Sequence, residues 1–486
     1  MTMATLNPEF YRVRTKTIAT VGPACRQEHQ LAELAAAGVD VFRLNMAHGQ
    51  VEQHQETLAA IRRVSRNEGR PIGVLADLGG PKIRLGELLG GQVECRQDAR
   101  LRFVRGETAS HAEELVSNYA RLIDELKAGD RVMLADGTVA LMVEECGADT
   151  AVCRVTQSGM VRSRQGINLP GVKIGLPAMT EEDCTHAIWA AQHGVDFVGM
   201  SFVRSPDEVL ALKAVVRAHG SRAMVIAKIE KPEALDRLEE IVAAADGVMV
   251  ARGDLGVEID VARMPVAQKH IVAVCNRYHK PVIIATQMLD SMQHSRQPTR
   301  AEVTDVANAI LDGCDACMLS GETAVGEHPQ PAVEMMNRIA LATEPLLRDR
   351  PPLPLSDVRI DDLHRVTEAV VYGVQFIASR LDAKLIVVAT HSGATALALS
   401  KLRSHVPIVA VSDCEEVSRQ MCLYWGVTPL EGAPMRDSDQ LIKHIEAWGQ
   451  RTGTLSPGDH LVLVSGIGLV AHGHNMLVVH EVMSGE

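Results

Sequence analysis

The chain has 486 residues, enough for about three domains, and carries 61 Asp and Glu against 49 Lys and Arg, a formal net charge of -12 with no basic run. That balance argues against nucleic acid or an anionic membrane as a partner. The first residues, MTMATLNPEFYRVRTKT, hold no apolar leader core, and nowhere do about 18 apolar residues run together, which points to a soluble, cytoplasmic protein.

In chain order, apolar runs of strand length alternate with helical patterns: KTIATVG from 16, VDVFRLN from 39 and IGVLAD from 72. After a long interruption the series resumes with FVGMSF from 197, AMVIAKIE from 223, GVMVARGDL from 247, PVIIATQ from 281 and ACMLSGE from 316. Nearly continuous apolar strands are those covered on both faces, and eight β/α units predict a (β/α)8 barrel over 1–78 and 172–350. Aromatic residues make up only 3% of the chain, which suits stacked aliphatic layers inside such a barrel.

The interruption, 79–171, alternates apolar with polar and breaks at Gly and Asp, as in GDRVMLADGTVALMVEEC. It predicts a small inserted β-barrel domain at the rim, placed to act as a lid that excludes water. Past Pro351-Pro352-Leu353-Pro354, a linker signal, residues 355–486 predict a C-terminal open α/β sheet with strands KLIVVAT, PIVAVS, GVTPLEG, HLVLVSG and MLVVHEV.

Two apparent motifs carry little. The single CxxC, Cys314 to Cys317, lies inside a strand pattern without a second pair, so it reads as buried small hydrophobes. Gly466-Ile467-Gly468 imitates a dinucleotide fingerprint but leaves no room for a crossover helix, and His472 and His474 beside it lack further metal ligands.

The chemistry concentrates at strand ends. Arg43 and Asn45 close the second strand, Asp77 the third, Lys228 and Glu230 the fifth, Asp254 the sixth, Thr286 the seventh, and Ser320 and Glu322 the eighth. Alternation puts Lys228 and Glu230 on one face with Ile229 behind. Taken singly, Lys228 and Glu230 could form an ordinary ion pair, and Asp254 could close a turn between Gly253 and Gly256. Six polar ends on one rim fit an active site instead, since a parallel barrel builds its site there. Hard-cation ligands beside a fixed ammonium suit a phosphate or an enolate. In the C-terminal domain, Thr390-His391-Ser392-Gly393-Ala394-Thr395 precedes a helix and reads equally as an anion-binding loop or a plain N-cap.

In order and spacing, KTIATVGPA, RLNMAHG, DLGGPKIR, AKIE, MVARGDLG, ATQML, PTRAEVTDVANAI and MLSGETA resemble pyruvate kinase. The resemblance implies phosphoryl transfer from phosphoenolpyruvate to ADP, a Mg2+ or Mn2+ ion on Glu230 and Asp254, and a homotetramer with a C-terminal effector site. It implies that Lys228 and Arg43 meet the phosphoryl group, Gly253 the substrate carboxylate, and Thr286 the carbon that is protonated, with Ser320 and Glu322 beside a relaying water. Asn45, His48 and Arg84 would face the nucleotide, and a sugar phosphate or nucleotide effector would meet Thr390, Ser392, Gly393 and Thr395.

Three departures from the family pattern stand out. The resemblance implies that Asn45 and Asp77 belong to the monovalent-cation site; where potassium-requiring members add Ser, Thr and Glu to it, this chain has Ala47, Leu78 and Lys82, so the Lys82 ammonium is expected to join Asn45 and Asp77 there and replace K+. Gln165 stands where many members carry a nucleotide-contacting Lys, with Arg164 beside it, and His391 and Ala394 stand where several have basic residues. Alternatives are a metal-dependent barrel lyase or aldolase using the same enolate chemistry, or a silent metabolite sensor; retention of Lys228, Glu230 and Asp254 speaks against the sensor.

Overall fold

The computed structural model describes residues 13–172, 174–347, 365–435, 437–465 and 476–483. The Pro351–Pro354 linker, the glycine-rich run from Gly466 and the two histidines after it lie outside these residues. Eight parallel strands close a barrel: β1 (Lys16–Thr20), β2 (Val41–Asn45), β3 (Gly73–Asp77), β4 (Phe197–Met200), β5 (Met224–Ile229), β6 (Gly247–Ala251), β7 (Val282–Ala285) and β8 (Ala316–Leu319). All eight apolar runs read from the sequence are staves of this barrel.

Alternation along each stave divides two cores. Ala19, Phe42, Val74, Val198, Ile229, Val250, Ile284 and Leu319 pack in one apolar cluster with the surrounding helices. Ile18, Val41, Leu75, Phe197, Ile226, Met249, Ile283 and Met318 pack in another, across the lumen. Two residues further along the lumen-facing register come Thr20, Arg43, Asp77 and Lys228. The interior stripe is therefore apolar at the amino ends of the staves and polar at their carboxyl ends, which puts a polar floor at the barrel mouth.

The amino ends carry a second pattern. An aspartate immediately precedes each even-numbered stave: Asp40, Asp196, Asp246 and Asp315. Each accepts a backbone N–H from the preceding odd stave, of Thr17, Val74, Val225 and Val282 respectively, at 2.8–2.9 Å. Each also holds a cation. Lys16 meets Asp40 and Lys213 meets Asp246 from within the barrel domain. Asp196 is shared between Arg62 and Arg419, and Asp315 between Lys401 and Arg403. Arg419, Lys401 and Arg403 belong to the C-terminal domain, so that domain docks on two of the four carboxylates.

The Lys401–Asp315 pair, at 2.5 Å, has both side chains fully excluded from solvent. Asp315→Asn should therefore leave two cations without their counter-charge. The unfolding free energy is expected to fall by about 3–5 kcal/mol, the usual effect of breaking a buried pair from one side; a urea titration of the full chain reads it.

The insert between β3 and β4 forms a six-stranded, largely antiparallel sheet and a two-stranded ladder of Gln92–Cys95 with Gly159–Arg162. Both sheets share one core built around Leu85, Phe103, Leu115, Leu141 and Val155. The small β-barrel expected from the sequence thus takes the form of two sheets about a common interior.

The C-terminal domain is a five-stranded sheet of β9 (Leu385–Ala389), β10 (Ile408–Val411), β11 (Val427–Leu430), β12 (His460–Ser465) and β13 (Met476–Glu481), in the order β11-β10-β9-β12-β13. β12 and β13 pair antiparallel, which excludes the crossover that a dinucleotide fold needs. None of the ten cysteines is in a disulfide; Cys314 and Cys317 are buried with their sulfurs 3.9 Å apart. Among the described residues no helix is long and apolar enough to cross a membrane.

Candidate active site

The mouth is organised around Lys228. Its Nζ lies 3.0 Å from Glu230 Oε1 and 3.2 Å from Asp77 Oδ1, and donates to Ser201 Oγ at 2.7 Å. Burial works against a charged ammonium, but Asp77 and Glu230 overcome it and push the Lys228 pKa above the ordinary lysine value. Burial would likewise raise the Asp77 carboxyl, yet Lys228 and Arg43 hold it below the usual carboxylate range. Arg43 donates through Nε to Asp77 Oδ2 at 2.7 Å and through a terminal nitrogen to Thr20 Oγ1 at 3.1 Å. The two cations are thus fixed by one buried carboxylate, Asp77, and held for any anion entering the mouth.

That carboxylate leans on a glycine. A Cβ at Gly199 would stand 2.7 Å from Asp77 Oδ1, so β4 needs the missing side chain there. Gly199→Ala is expected to displace Asp77 and to cost about 1–3 kcal/mol of stability, as overpacking does. A comparable disturbance of both cations should show in kcat, and the two measurements on one preparation check it.

Glu230 is buried. Its Oε2 accepts the Phe202 N–H at 2.8 Å, in a segment where Phe202 adopts the left-handed region at φ 55°. Burial pushes the Glu230 carboxyl up and the nearby negative charge of Asp254 adds to this, against the opposing pull of Lys228. Asp254, in the helix Arg252–Glu258 that follows β6, meets Lys82 Nζ at 3.2 Å. The buried Glu230 and the part-exposed Asp254, two carboxylates that repel each other, fit a divalent cation of the Mg2+ type, which takes one or two protein carboxylates and completes its shell with water and substrate oxygens. Among the described residues no group of three or more His, Cys, Asp or Glu forms a closed metal cage.

Thr286 follows β7 at φ 69°, and Gln287 is also left-handed at φ 55°. The Thr286 hydroxyl accepts the Gly253 N–H at 2.7 Å and donates to Ala285 O at 2.6 Å. The Gly253 amide expected to meet a substrate carboxylate is therefore engaged by Thr286, and a ligand there competes with that bond. At the end of β8, Glu322 is buried and accepts the N–H groups of Leu289 and Ser320. Burial pushes its carboxyl up although these bonds oppose it. Among the described residues no partner is found for the buried Ser320 Oγ.

On the lid side, Ala47, Lys82 and Arg84 line a cleft of about 470 Å3 between the barrel and the insert, together with Asn118, Tyr119 and His186. His48, next to Ala47 in the chain, keeps much of its surface in solvent, and partial desolvation followed by the charges of Arg84, Arg43 and Lys82 holds its imidazole below the ordinary value. Asn45 uses its side-chain oxygen locally, accepting the Ala47 N–H at 3.3 Å. Arg84 donates to Arg164 O, while the Arg164 side chain is exposed and paired with Glu87. The structure thus brings Arg43, Asp77, Lys228 and Glu230 together, and Lys82 with Asp254. Lys82 is paired with Asp254 rather than with Asp77 or Asn45, the pair it was grouped with in the sequence.

The C-terminal loop is largely satisfied by itself. Thr390 Oγ1 accepts the Gly393 N–H at 3.1 Å, Gly393 stands at φ 80°, and His391 pairs with Asp413. Thr390 and Thr395 are buried, and Ser392 is exposed.

Sequence reasoning missed three groups. Thr20 and Ser201 supply polar ends to β1 and to the segment after β4, the two staves given none; the recurrence on the other six was the available signal. Arg252, read only as part of GVMVARGDL, is buried and bonded to the Thr286 and Gln287 carbonyls.

An aliphatic barrel whose mouth holds an ammonium, a guanidinium and two repelling carboxylates is the equipment of a metal-assisted phosphoryl-transfer enzyme. Comparison with known proteins narrows this class. A model of the pyruvate kinase barrel domain matches residues 12–333, and one of the pyruvate kinase alpha/beta domain matches residues 368–480. Pyruvate kinase of Mycobacterium tuberculosis is 41% identical over 471 residues, covering 96% of this chain and 98% of that protein. Pyruvate kinase of Geobacillus stearothermophilus is 39% identical over 473 residues, covering 96% of this chain and 80% of the relative. A crystal structure of a pyruvate kinase from Cryptosporidium parvum superposes with a TM-score of 0.90 at 33% identity, covering 99% of this chain and 98% of that one.

The chain belongs to the pyruvate kinase family. The family's reaction is the glycolytic transfer of the phosphoryl group of phosphoenolpyruvate to ADP, giving pyruvate and ATP, and its members use a divalent metal.

Proposed function

We propose that Lys228 and Arg43 carry the phosphoryl group of phosphoenolpyruvate to ADP, with Glu230 and Asp254 holding Mg2+ or Mn2+ and Thr286 acting at the enolate. The observation that carries this is the pairing of Lys228 with both Asp77 and Glu230 inside the barrel mouth. A loose phosphoryl-transfer transition state asks mainly for positioning and charge. Lys228 and Arg43 supply fixed positive charge, preset by Asp77, so little reorganisation accompanies the transfer. When bound, the divalent ion supplies further positive charge at the phosphoryl and carboxylate oxygens. Gly253 N–H and Thr286 face the remaining part of the substrate, and Ser320 with Glu322 borders the water that returns a proton.

His48, Asn45 and Arg84 edge the cleft that suits the nucleotide phosphates, and Arg164, beside Gln165, is exposed and paired with Glu87. Lys82 stands in for K+, beside the metal ligand Asp254. The exposed apolar residues Val261, Val266 and Phe376 favour an assembly that covers them, in keeping with a homotetramer. The Thr390–Thr395 loop is the place for an anionic effector, a sugar phosphate or nucleotide, and the enzyme works in the cytoplasm.

Mixing the purified chain with phosphoenolpyruvate, ADP and Mg2+ in potassium-free buffer tests the assignment. ATP and pyruvate should form in equal amounts and stop on chelation of the metal. Release of pyruvate with inorganic phosphate in place of ATP would point to simple hydrolysis of phosphoenolpyruvate and overturn it.

A further inference from the structure

The stretch PTRAEVTDVANAI plays no part in the site as described so far, yet its Asp305 ends 2.7 Å from the Arg252 guanidinium. Arg252 is buried, and its contacts are directed at one turn of backbone. It donates to Thr286 O at 2.8 and 3.3 Å and to Gln287 O at 3.2 Å, with Met288 Sδ beside the same nitrogen. The opposite side of the guanidinium faces Asp305 and, at 3.5 Å, Gln268.

The backbone so held is strained. Thr286 and Gln287 are consecutive residues at positive φ, 69° and 55°, and neither is glycine or asparagine. Each such residue costs on the order of 1–3 kcal/mol and persists only where its surroundings over-determine it. Thr286 is β-branched, which makes the left-handed region less favourable still. One planar fork spanning both carbonyls, anchored by a carboxylate on the following helix, is such an over-determination. Its effect is to aim the Thr286 Cβ, and so the hydroxyl, at the Gly253 amide and the mouth.

We infer that Asp305 and Arg252 are positioning residues for the proton-transfer half of the reaction: they hold the Thr286–Gln287 turn in the conformation that presents the Thr286 hydroxyl. In that half-reaction the C2–C3 π pair of the enolate takes a proton at C3 from the water bordered by Ser320 and Glu322: a C–H bond forms, that O–H bond breaks with its electron pair left on the water oxygen, and the C2–O bond becomes the ketone of pyruvate. Arg43 and Lys228 are attached to other staves and are untouched by the clamp. Loss of the clamp should therefore separate proton delivery from phosphoryl transfer. The inference rests on the role given above to Thr286.

The experiment follows loss of C3 hydrogen from pyruvate in D2O by NMR, beside ATP formation from phosphoenolpyruvate and ADP, for Arg252→Lys, Asp305→Asn, Asp305→Glu and Thr286→Val. Misplacement by about 1 Å can cost on the order of 100-fold. Arg252→Lys and Asp305→Asn are expected to slow C3 exchange by about 10- to 100-fold, with the KM for phosphoenolpyruvate and the rate of ATP formation within about threefold of the parent. Asp305→Glu should restore most of the exchange. Asp305 is partly exposed, so its variants keep the test alive should Arg252→Lys fail to fold. Exchange and ATP formation falling in parallel in every variant would make the clamp merely structural and overturn the inference. If Thr286→Val abolishes exchange while Arg252→Lys and Asp305→Asn leave it intact, the clamp is refuted and the role of Thr286 stands. If Thr286→Val itself leaves exchange intact, that role falls and the inference with it.

Discussion

Replacing Lys228 by methionine is expected to lower kcat by about 100- to 1,000-fold, the range seen when one preorganised electrostatic contact is lost from a water-excluded site. The stem length is kept, so the change removes charge and little volume. It also leaves Asp77 and Glu230 facing each other without the cation between them, and the unfolding free energy should drop by about 3–5 kcal/mol. The sign of the pH dependence follows from Asp77. Its folded pKa is depressed below the ordinary carboxylate value by Lys228 and Arg43, burial notwithstanding. Its pairing therefore adds stability above that ordinary value, and the gain is lost as pH falls through the depressed one. In the Lys228→Met protein this acid-side loss should shrink. Urea midpoints between neutral and acidic pH, alongside turnover of the same samples, measure both effects, and undiminished turnover would remove Lys228 from the reaction.

The second large effect concerns potassium. The parent chain should turn over in its absence, because the Lys82 ammonium is covalently supplied 3.2 Å from Asp254. Lys82→Glu reverses the charge at that point, and turnover without potassium is expected to fall by about 100-fold, on the scale of losing one electrostatic contact. Added potassium should recover only part of it. Leu78 and Ala47 offer no hydroxyl, so adding Leu78→Thr and Ala47→Ser to Lys82→Glu should bring recovery closer to complete. A parent protein that is silent until potassium is added, or a Lys82→Glu variant indifferent to the ion, contradicts the assignment.

The barrel was legible because a stave covered on both faces must be apolar almost throughout, and its first polar residues mark the rim. That rule located Arg43, Asp77, Lys228, Glu230 and Thr286 before any coordinates. It passed over Thr20 and Ser201, whose short hydroxyl side chains look like strand termini of no consequence. Other features had no local signal. The left-handed turn at Thr286 and Gln287 uses residues that normally avoid it, so nothing in the letters announces it. The partners of Arg252 lie 34 and 53 positions away, beyond the reach of any periodicity. The aspartates before β2, β4, β6 and β8 read as turn residues one by one, and their shared task emerges only when the staves stand side by side. In the C-terminal loop the hydroxyls were visible, but not that Thr390 spends its own on Gly393.

Those four aspartates also set the terms for taking the molecule apart. A catalytic barrel cut free of its C-terminal companion would retain Lys16, Lys213 and Arg62 but forfeit Arg419, Lys401 and Arg403, leaving Asp196 with one cation and stranding negative charge beneath stave eight. An amide at 315 would shed that charge while keeping an oxygen for the Val282 N–H group. The same exchange at 315 that weakens the whole enzyme would thus relieve the excised barrel of a buried charge.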